Sequence, residues 1–309
     1  MNTASSCRIW RFLDGKPGHE NQTAGLLAAL AERLPVEVHE LEVPPAWQSL
    51  VALLSRRFPP GARLPGPDLL LGAGHATHVA MLAARRARGG RIIVLMKPSL
   101  PLGLFDLCLI PEHDDPPQRA NVIATRGVLN RVRPAPAKDP RRGLLLIGGP
   151  SRHFGWDAEA LLDQIEAVLG DETGIGWRLC TSRRTPESFI EALQRRLGEA
   201  PRLALVRWQD VDRDWLPVQL GEAARVWVTP DSVSMVYEAL TAGAAVGLFD
   251  LPGAAGGRIQ RGLARLEAEG LVTPFADWQA GALLRAPAEP FNEAARCARE
   301  IVGRGWCRG

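Results

Sequence analysis

Residues 226–250 read Val-Trp-Val-Thr-Pro-Asp-Ser-Val-Ser-Met-Val-Tyr-Glu-Ala-Leu-Thr-Ala-Gly-Ala-Ala-Val-Gly-Leu-Phe-Asp, a pattern with few ways to fold. The apolar triplet at 226–228 is too short for a buried helix and reads as a strand, and 245–249 repeats that signal. Between them Pro230, Asp231 and Ser232 make a turn, helical spacing runs from about Val233 to Thr241, and Gly243 stops it. Two buried strands joined by a single helix are parallel neighbours, so the expectation is an α/β sheet covered on both faces. Asp231 or Ser232 is placed to cap the helix, Ser234 and Met235 fall in its first turn, and Glu238 sits one turn on along the Ser234 face. A helix start reached from a parallel strand presents N–H groups beyond the strand end, which suits a phosphate or a sugar diphosphate. An ordinary capped helix has the same sequence, so this segment speaks for the fold class first.

The 309 residues are enough for two domains with separate cores, and 46% hydrophobic content with 31 Gly and 25 Pro describes a globular chain. A net charge of +3 is too small to argue for a nucleic-acid partner. Cys7, Cys108, Cys180, Cys297 and Cys307 are odd in number, widely spaced and lack a Cys-x-x-Cys pair. They read as reduced thiols, neither a disulfide frame nor a zinc site. The first twelve residues lack an apolar targeting core, and no apolar run reaches the ~20 residues of a bilayer span, so a cytoplasmic location is expected. Residues 46–58, Ala-Trp-Gln-Ser-Leu-Val-Ala-Leu-Leu-Ser-Arg-Arg-Phe, are apolar with a basic end. They read first as a packed helix, with peripheral contact to an anionic membrane surface as the alternative.

Strands are expected at 8–13, 36–41, 69–71 and 91–96, with helices at 21–33 and 75–88 and short apolar runs at 107–110 and 121–125. That is a doubly wound α/β domain over residues 1–133. From Asn130 to Arg142, three prolines and five basic residues interrupt the apolar pattern, which reads as a linker. A second domain over 143–309 follows, with strands at 143–147, 177–180 and 203–206 and helices at 157–169, 186–197 and 259–269. A terminal helix at 292–302 is expected to pack back toward the first domain.

Ligands of open α/β sheets bind at the carboxyl ends of the strands, so the residues just past each strand carry the functional signal. After the first strand comes Asp-Gly-Lys-Pro-Gly-His-Glu-Asn-Gln, residues 14–22, which supplies Lys16, Asn21, Gln22 and, in His19, a candidate general base. Asp14 is the second candidate for that role. His75 follows the third strand in a Gly-x-Gly turn that lacks the third glycine of a dinucleotide fingerprint. His75 and His78 have loose metal-ligand spacing without a third ligand, so no metal is expected. Lys97 and His113 follow the next two strands. In the second half Gly148, Gly149, Ser151 and Arg152 form a glycine turn with a hydroxyl and a cation. Ser182, Arg183 and Arg184 repeat the theme after the next strand and could clamp a diphosphate. The alternating Asp210, Asp212 and Asp214 look like a metal-holding pair of one sugar-transferase class but read better as acids at a helix start.

Taken together, residues 14–22, 111–114, 146–153, 181–185 and 229–235 resemble the elongated-mitochondria, or mitochondrial fission factor, family over nearly the whole chain. That family includes a plant member acting in mitochondrial fission and bacterial members regarded as glycosyltransferases. The resemblance implies a GT-B-like fold, two Rossmann-like doubly wound domains facing across a cleft, with the C-terminal one holding a nucleotide-sugar donor. Residues 226–250 are also similar to the donor-site helix of the lipid-linked N-acetylglucosamine transferase of peptidoglycan synthesis. Ser234 and Glu238 would take the roles of its nucleotide- and sugar-contacting residues, and Gly18 and His19 resemble its glycine-rich first loop, although that loop carries more glycines than this one.

The implied activity is that of an inverting, metal-independent glycosyltransferase with a nucleotide-diphosphate sugar as co-substrate and no cofactor. His19 or Asp14 would deprotonate the acceptor, while Arg152, Arg183, Arg184 and the helix start from Ser232 to Ser234 neutralise the leaving diphosphate. The acceptor is left open, with a lipid or a cell-envelope glycan both fitting. Two other readings stand beside it: a scaffold that recruits a protein partner, and a nucleotide-sugar epimerase on the same fold.

Overall fold

In the computed structural model, which describes residues 6–135, 137–171, 174–253 and 257–307, every strand pairing within the two sheets is parallel. The chain divides into two units, one taking the chain up to Arg131 and again from Glu293, the other taking Val132–Asn292.

In the first unit β1 (Cys7–Leu13), β2 (Val36–Glu42), β3 (Leu69–Ala73), β4 (Arg91–Leu95), β5 (Leu107–Pro111) and β6 (Val122–Thr125) form one sheet in the order β2-β1-β3-β4-β5-β6. The helices α1 (Pro17–Ala31), α2 (Ala46–Ser55) and α3 (Thr77–Arg88) connect successive strands. All five residues of β3 and of β5 are buried, as the continuous apolar runs require of strands covered on both faces. Ile9, Leu69, Leu71, Ile93 and Leu109 point to one face, where Leu26 and Leu30 of α1 cover them. Trp10, Phe12, Leu70, Val94 and Ile110 point to the other, against Ala52 of α2 and Ala80, Met81 and Ala84 of α3. Each such side chain contributes about 1.5–3 kcal/mol by leaving water. Helix α1 begins at Pro17, four residues before the apolar periodicity starts, because proline at the first helical position already has the required φ. His19 therefore stands in a helical turn and not in a loop.

The second unit contains β7 (Asp139–Leu146), α4 (Ala158–Asp171), β8 (Gly176–Cys180), α5 (Glu187–Leu197), β9 (Leu203–Val206), α6 (Trp215–Glu222), β10 (Ala223–Val228), α7 (Val233–Ala242), β11 (Ala245–Leu248), α8 (Arg258–Ala268), β12 (Thr273–Pro274) and α9 (Phe275–Gln279). Its sheet runs β12-β11-β10-β7-β8-β9, the doubly wound order in which chain direction reverses beside the first strand. Strand β7 starts inside the basic stretch that reads as linker: its first four residues are exposed yet backbone-paired, and Arg142 bonds Glu222. Asp212, two residues before the Asp214 N-cap of α6, accepts from the backbone of Asp214 and Trp215 at 2.9 Å each, so this acid lies in the turn that leads into a helix start.

Helix α10 (Glu293–Gly303) completes the first unit, burying Ala294, Cys297, Ala298 and Ile301 against α1 and the sheet. Two sequence expectations are corrected by this unit. Cys7 and Cys307 form a disulfide across 300 residues of chain, so the five cysteines are not all thiols; a pairing that tertiary packing creates leaves no trace in spacing. Cys108, Cys180 and Cys297 are buried thiols, and burial raises the pKa of each. Secondly, α2 is not packed by its large apolar face: Ser49 and Ala52 are buried while Trp47, Leu50, Val51 and Leu54 are exposed.

Among the described residues no helix is long and apolar enough to cross a membrane.

Candidate functional site

The second sheet reverses between β10 and β7, so the loops after those strands flank the crevice position of a doubly wound sheet. Both loops are drawn together by Asp231, whose side chain has no exposed surface. Its Oδ2 accepts from the Gly149 amide at 3.0 Å and pairs with the Arg184 guanidinium at 2.6 Å. Arg184 also donates to the carbonyl of Gly149 at 3.1 Å and to Ser232 Oγ at 3.1 Å, so one cation ties together the loops after β7, β8 and β10. These approaches need glycine. A Cβ on Gly148 would lie 2.1 Å from Asp231 Oδ2, and one on Gly149 would lie 2.0 Å from the Arg184 carbonyl.

Two threonines complete the knot. Thr229 Oγ1 accepts from the Gly148 amide at 2.7 Å. Thr185 Oγ1 lies 3.0 Å from the Ile147 carbonyl and 2.6 Å from that of Gly148, while accepting from Ser182 N at 2.8 Å. Both threonines lie in stretches that carry the family resemblance, 181–185 and 229–235, yet nothing in the sequence assigns either a partner.

The expected side-chain cap of α7 is absent. Ser232 holds the N-cap position, yet neither it nor Asp231 bonds the first turn, because both are engaged with Arg184 and with each other. The start of α7 is therefore left with uncapped amides, the feature that favours an anion there. Ser234 is exposed on that first turn, and Met235 and Glu238 are half-buried. Asp231 Oδ1 is buried and accepts no hydrogen bond. Ser151 Oγ accepts from the amides of His153 and Phe154 and so shapes its own loop. Arg152 is exposed, and the exposed Arg183 stacks its guanidinium 5.4 Å above the Trp208 ring. Of the three arginines, Arg152 and Arg183 present cations outward, whereas Arg184 is engaged internally.

The first sheet reverses between β1 and β3, and here too the residues past the two strands meet. Asp14, 2% exposed, accepts from His19 Nδ1 at 2.7 Å and from the Lys16 amide at 3.2 Å. The His19 ring rests on Gly74 after β3, so closely that a Cβ there would lie 2.3 Å from Cε1. Gly74 also has φ +80°, which glycine adopts without strain. In the neutral imidazole that donates Nδ1–H to this carboxylate, the lone pair sits on Nε2, the arrangement of an oriented general base.

The other expected residues of this edge are spread along it. Lys16 and His75 are exposed, and Lys97 donates to the Asp114 carbonyl at 2.9 Å. His113 is half-buried in a short turn after β5. Asn21 accepts from Arg131 Nε at 3.2 Å, and Gln22 is buried on α1. His78, the neighbour of His75, lies inside the unit 3.3 Å from Ser99 Oγ, and burial lowers its pKa from 6.5 to about 4. Met96 takes φ 71° between β4 and Lys97, a conformation unusual for a side chain of that size.

The family model described as Mitochondrial fission ELM1 matches residues 17–304 of this chain. Uncharacterized protein RP120 of Rickettsia prowazekii is 22% identical over 300 residues, covering 79% of this chain and 83% of that protein. The UDP-GlcNAc 2-epimerase of Methanocaldococcus jannaschii superposes with a TM-score of 0.60 at 10% identity, covering 96% of this chain and 99% of that one. The UDP-GlcNAc 2-epimerase of Neisseria meningitidis, solved with UDP-GlcNAc, gives 0.54 at 11% over 96% and 99%. MurG of Acinetobacter baumannii gives 0.50 at 15% over 98% and 92%. At such identities the likeness speaks for the fold, which is of the GT-B type: two Rossmann-like units, each with a parallel six-stranded sheet.

Proposed function

This chain belongs to the mitochondrial fission ELM1 family, and we propose that it is an inverting, metal-independent glycosyltransferase using a nucleotide-diphosphate sugar. The observation that carries the reading is the Asp14–His19 pair at the reversal point of the first sheet, a buried carboxylate orienting an imidazole whose second nitrogen can take a proton.

In this reading His19 Nε2 takes the proton of an acceptor hydroxyl as its oxygen attacks the anomeric carbon, and the bond to the nucleoside diphosphate breaks with inversion. The diphosphate binds at the second unit, its charge met by the uncapped amides of α7 and by Arg152 and Arg183. Arg184 acts there through Asp231 and the glycine loop, holding the surface that the phosphates touch. Ser234 and Glu238 contact the donor's nucleotide and sugar.

The test begins with thermal shifts in nucleoside diphosphates and their sugars, since a ligand at a hundred times its dissociation constant adds about 2.7 kcal/mol. The donor so found is then incubated with candidate lipid and glycan acceptors, and released nucleoside diphosphate and glycosylated product are measured together. A protein that binds none of these ligands is no glycosyltransferase. An isomerised sugar still attached to its nucleotide would make it an epimerase, an outcome of interest because two neighbours of this fold are UDP-GlcNAc 2-epimerases.

A further inference from the structure

Trp47, Leu50, Val51 and Leu54 fall at i, i+3, i+4 and i+7 of α2 and so form one stripe along it. They are 67%, 52%, 56% and 72% exposed. The opposite side of the helix, Ser49 and Ala52, is buried, and α2 packs on α3. The helix is thus held by its small residues and presents its large apolar ones outward, the reverse of an ordinary amphipathic surface helix. A single exposed leucine is common in any protein; four large apolar groups in a continuous row mark a surface that meets something.

The charge around the stripe says what. Between Glu42 and Asp68 the sequence holds Arg56, Arg57 and Arg63 and no acid, and residues 69–105, which include α3, hold none either. The three arginines are exposed, and among the described residues none of their guanidinium groups makes an ion pair or hydrogen bond. Arg86 on α3 is exposed and unpaired in the same way.

We propose that α2 docks this protein on an anionic lipid bilayer, the apolar stripe entering the boundary between headgroups and acyl chains and the arginines meeting lipid phosphates. A folded partner or a second copy would satisfy an apolar stripe, but a stripe on a stretch of chain, residues 43–67, that holds exposed unpaired cations and no acid matches a surface that is apolar within and negative above. The docking face begins at the carboxyl edge of the first sheet. Val43, three residues before α2, donates to the carbonyl of Leu13 at 2.9 Å, next to Asp14.

The experiment is co-sedimentation of the full chain with phosphatidylcholine vesicles, alone or with about one third phosphatidylglycerol, at low and high salt. Binding to the anionic vesicles is expected to exceed that to neutral ones roughly tenfold or more and to fall with salt. The pair Leu50→Glu and Leu54→Glu should weaken it by about tenfold or more at either salt. The pair Arg56→Gln and Arg57→Gln should weaken it by roughly tenfold at low salt and flatten the salt dependence. Both variants change exposed side chains, and unaltered melting curves verify that they fold. Equal binding to both vesicle types, no binding, or variants that bind like the wild type would overturn the proposal. So would a dimer that the Leu50→Glu and Leu54→Glu pair dissociates while vesicle binding is unchanged.

Discussion

The carboxylate of Asp14 holds His19 by Nδ1 at 2.7 Å, and the backbone between them bends so that the amide of Lys16 holds the same carboxylate at its other oxygen. Asp14 is thereby fixed from two sides, and the imidazole has one orientation. On the proposed chemistry, His19→Ala lowers turnover by roughly 10² to 10⁴ with little change in donor affinity. Asp14→Asn lowers it by roughly 10 to 10³, since an amide can hold the wrong tautomer. The double variant should be no slower than His19→Ala by more than a few-fold, because the two act as one unit. Turnover and donor binding are measured in all three, and additive losses would mean the residues act separately.

Gly74→Ala tests the same pair without touching it. The new methyl would have to displace the His19 ring and also adopt φ +80°. A stability loss of about 1–3 kcal/mol is expected, together with a fall in turnover approaching that of His19→Ala. Near-normal turnover in a folded Gly74→Ala protein would show that the ring's seat has no bearing on the reaction.

Arg184 and Asp231 call for a double-mutant cycle. Arg184→Ala leaves a fully buried carboxylate with only the Gly149 amide and the Ser232 hydroxyl as donors, which costs roughly 2–3 kcal/mol, at the low end because the guanidinium is 42% exposed. Pairing that change with Asp231→Ala should return about 1–3 kcal/mol as coupling in urea unfolding. Donor binding is expected to weaken in either single variant through loosening of the Gly148–Gly149 loop. A coupling near zero would contradict the role given to this pair.

His78 makes a prediction about acid. Burial, and secondarily the charge of His75, keeps it neutral in the fold down to pH about 4, against 6.5 in the unfolded chain. Between those values the unfolded state binds the extra proton, so stability is intact above pH 6.5 and is lost as pH falls toward 4. The loss from this residue is about 3 kcal/mol. In His78→Leu the drop in unfolding free energy between pH 7 and pH 4.5 should be smaller than in the wild type by roughly 2 kcal/mol. Parallel pH profiles would assign the acid sensitivity elsewhere.

The alternation of strands and helices was legible in the sequence because parallel strands are apolar end to end, and β3 and β5 show no exposed residue. The stop of α7 was legible too, since Gly243 takes φ +83°, a value that few other residues tolerate. Neighbour choice was not. Spacing placed Arg184 and Asp231 each just past a strand but could not say that the cation would close on the acid, leaving α7 uncapped. Periodicity gave α2 an apolar side without saying whether anything covers it. The Cys7–Cys307 bond joins positions that share no local pattern at all. The role of His19 as a base was suggested by its type and loop; its orientation by Asp14 and its seat on Gly74 needed coordinates.

Because α10 returns to the first unit after Val132–Asn292 has intervened, the order in which the ribosome delivers the chain differs from the order in which the cores close. The second unit has all its strands once residue 274 has emerged. The first, though begun earlier, waits for Cys297, Ala298 and Ile301 to cover the α1 face of its sheet and for Cys307 to meet Cys7. During synthesis the amino-terminal unit is therefore the last to finish, holding an unfinished apolar face that a chaperone would have reason to shelter.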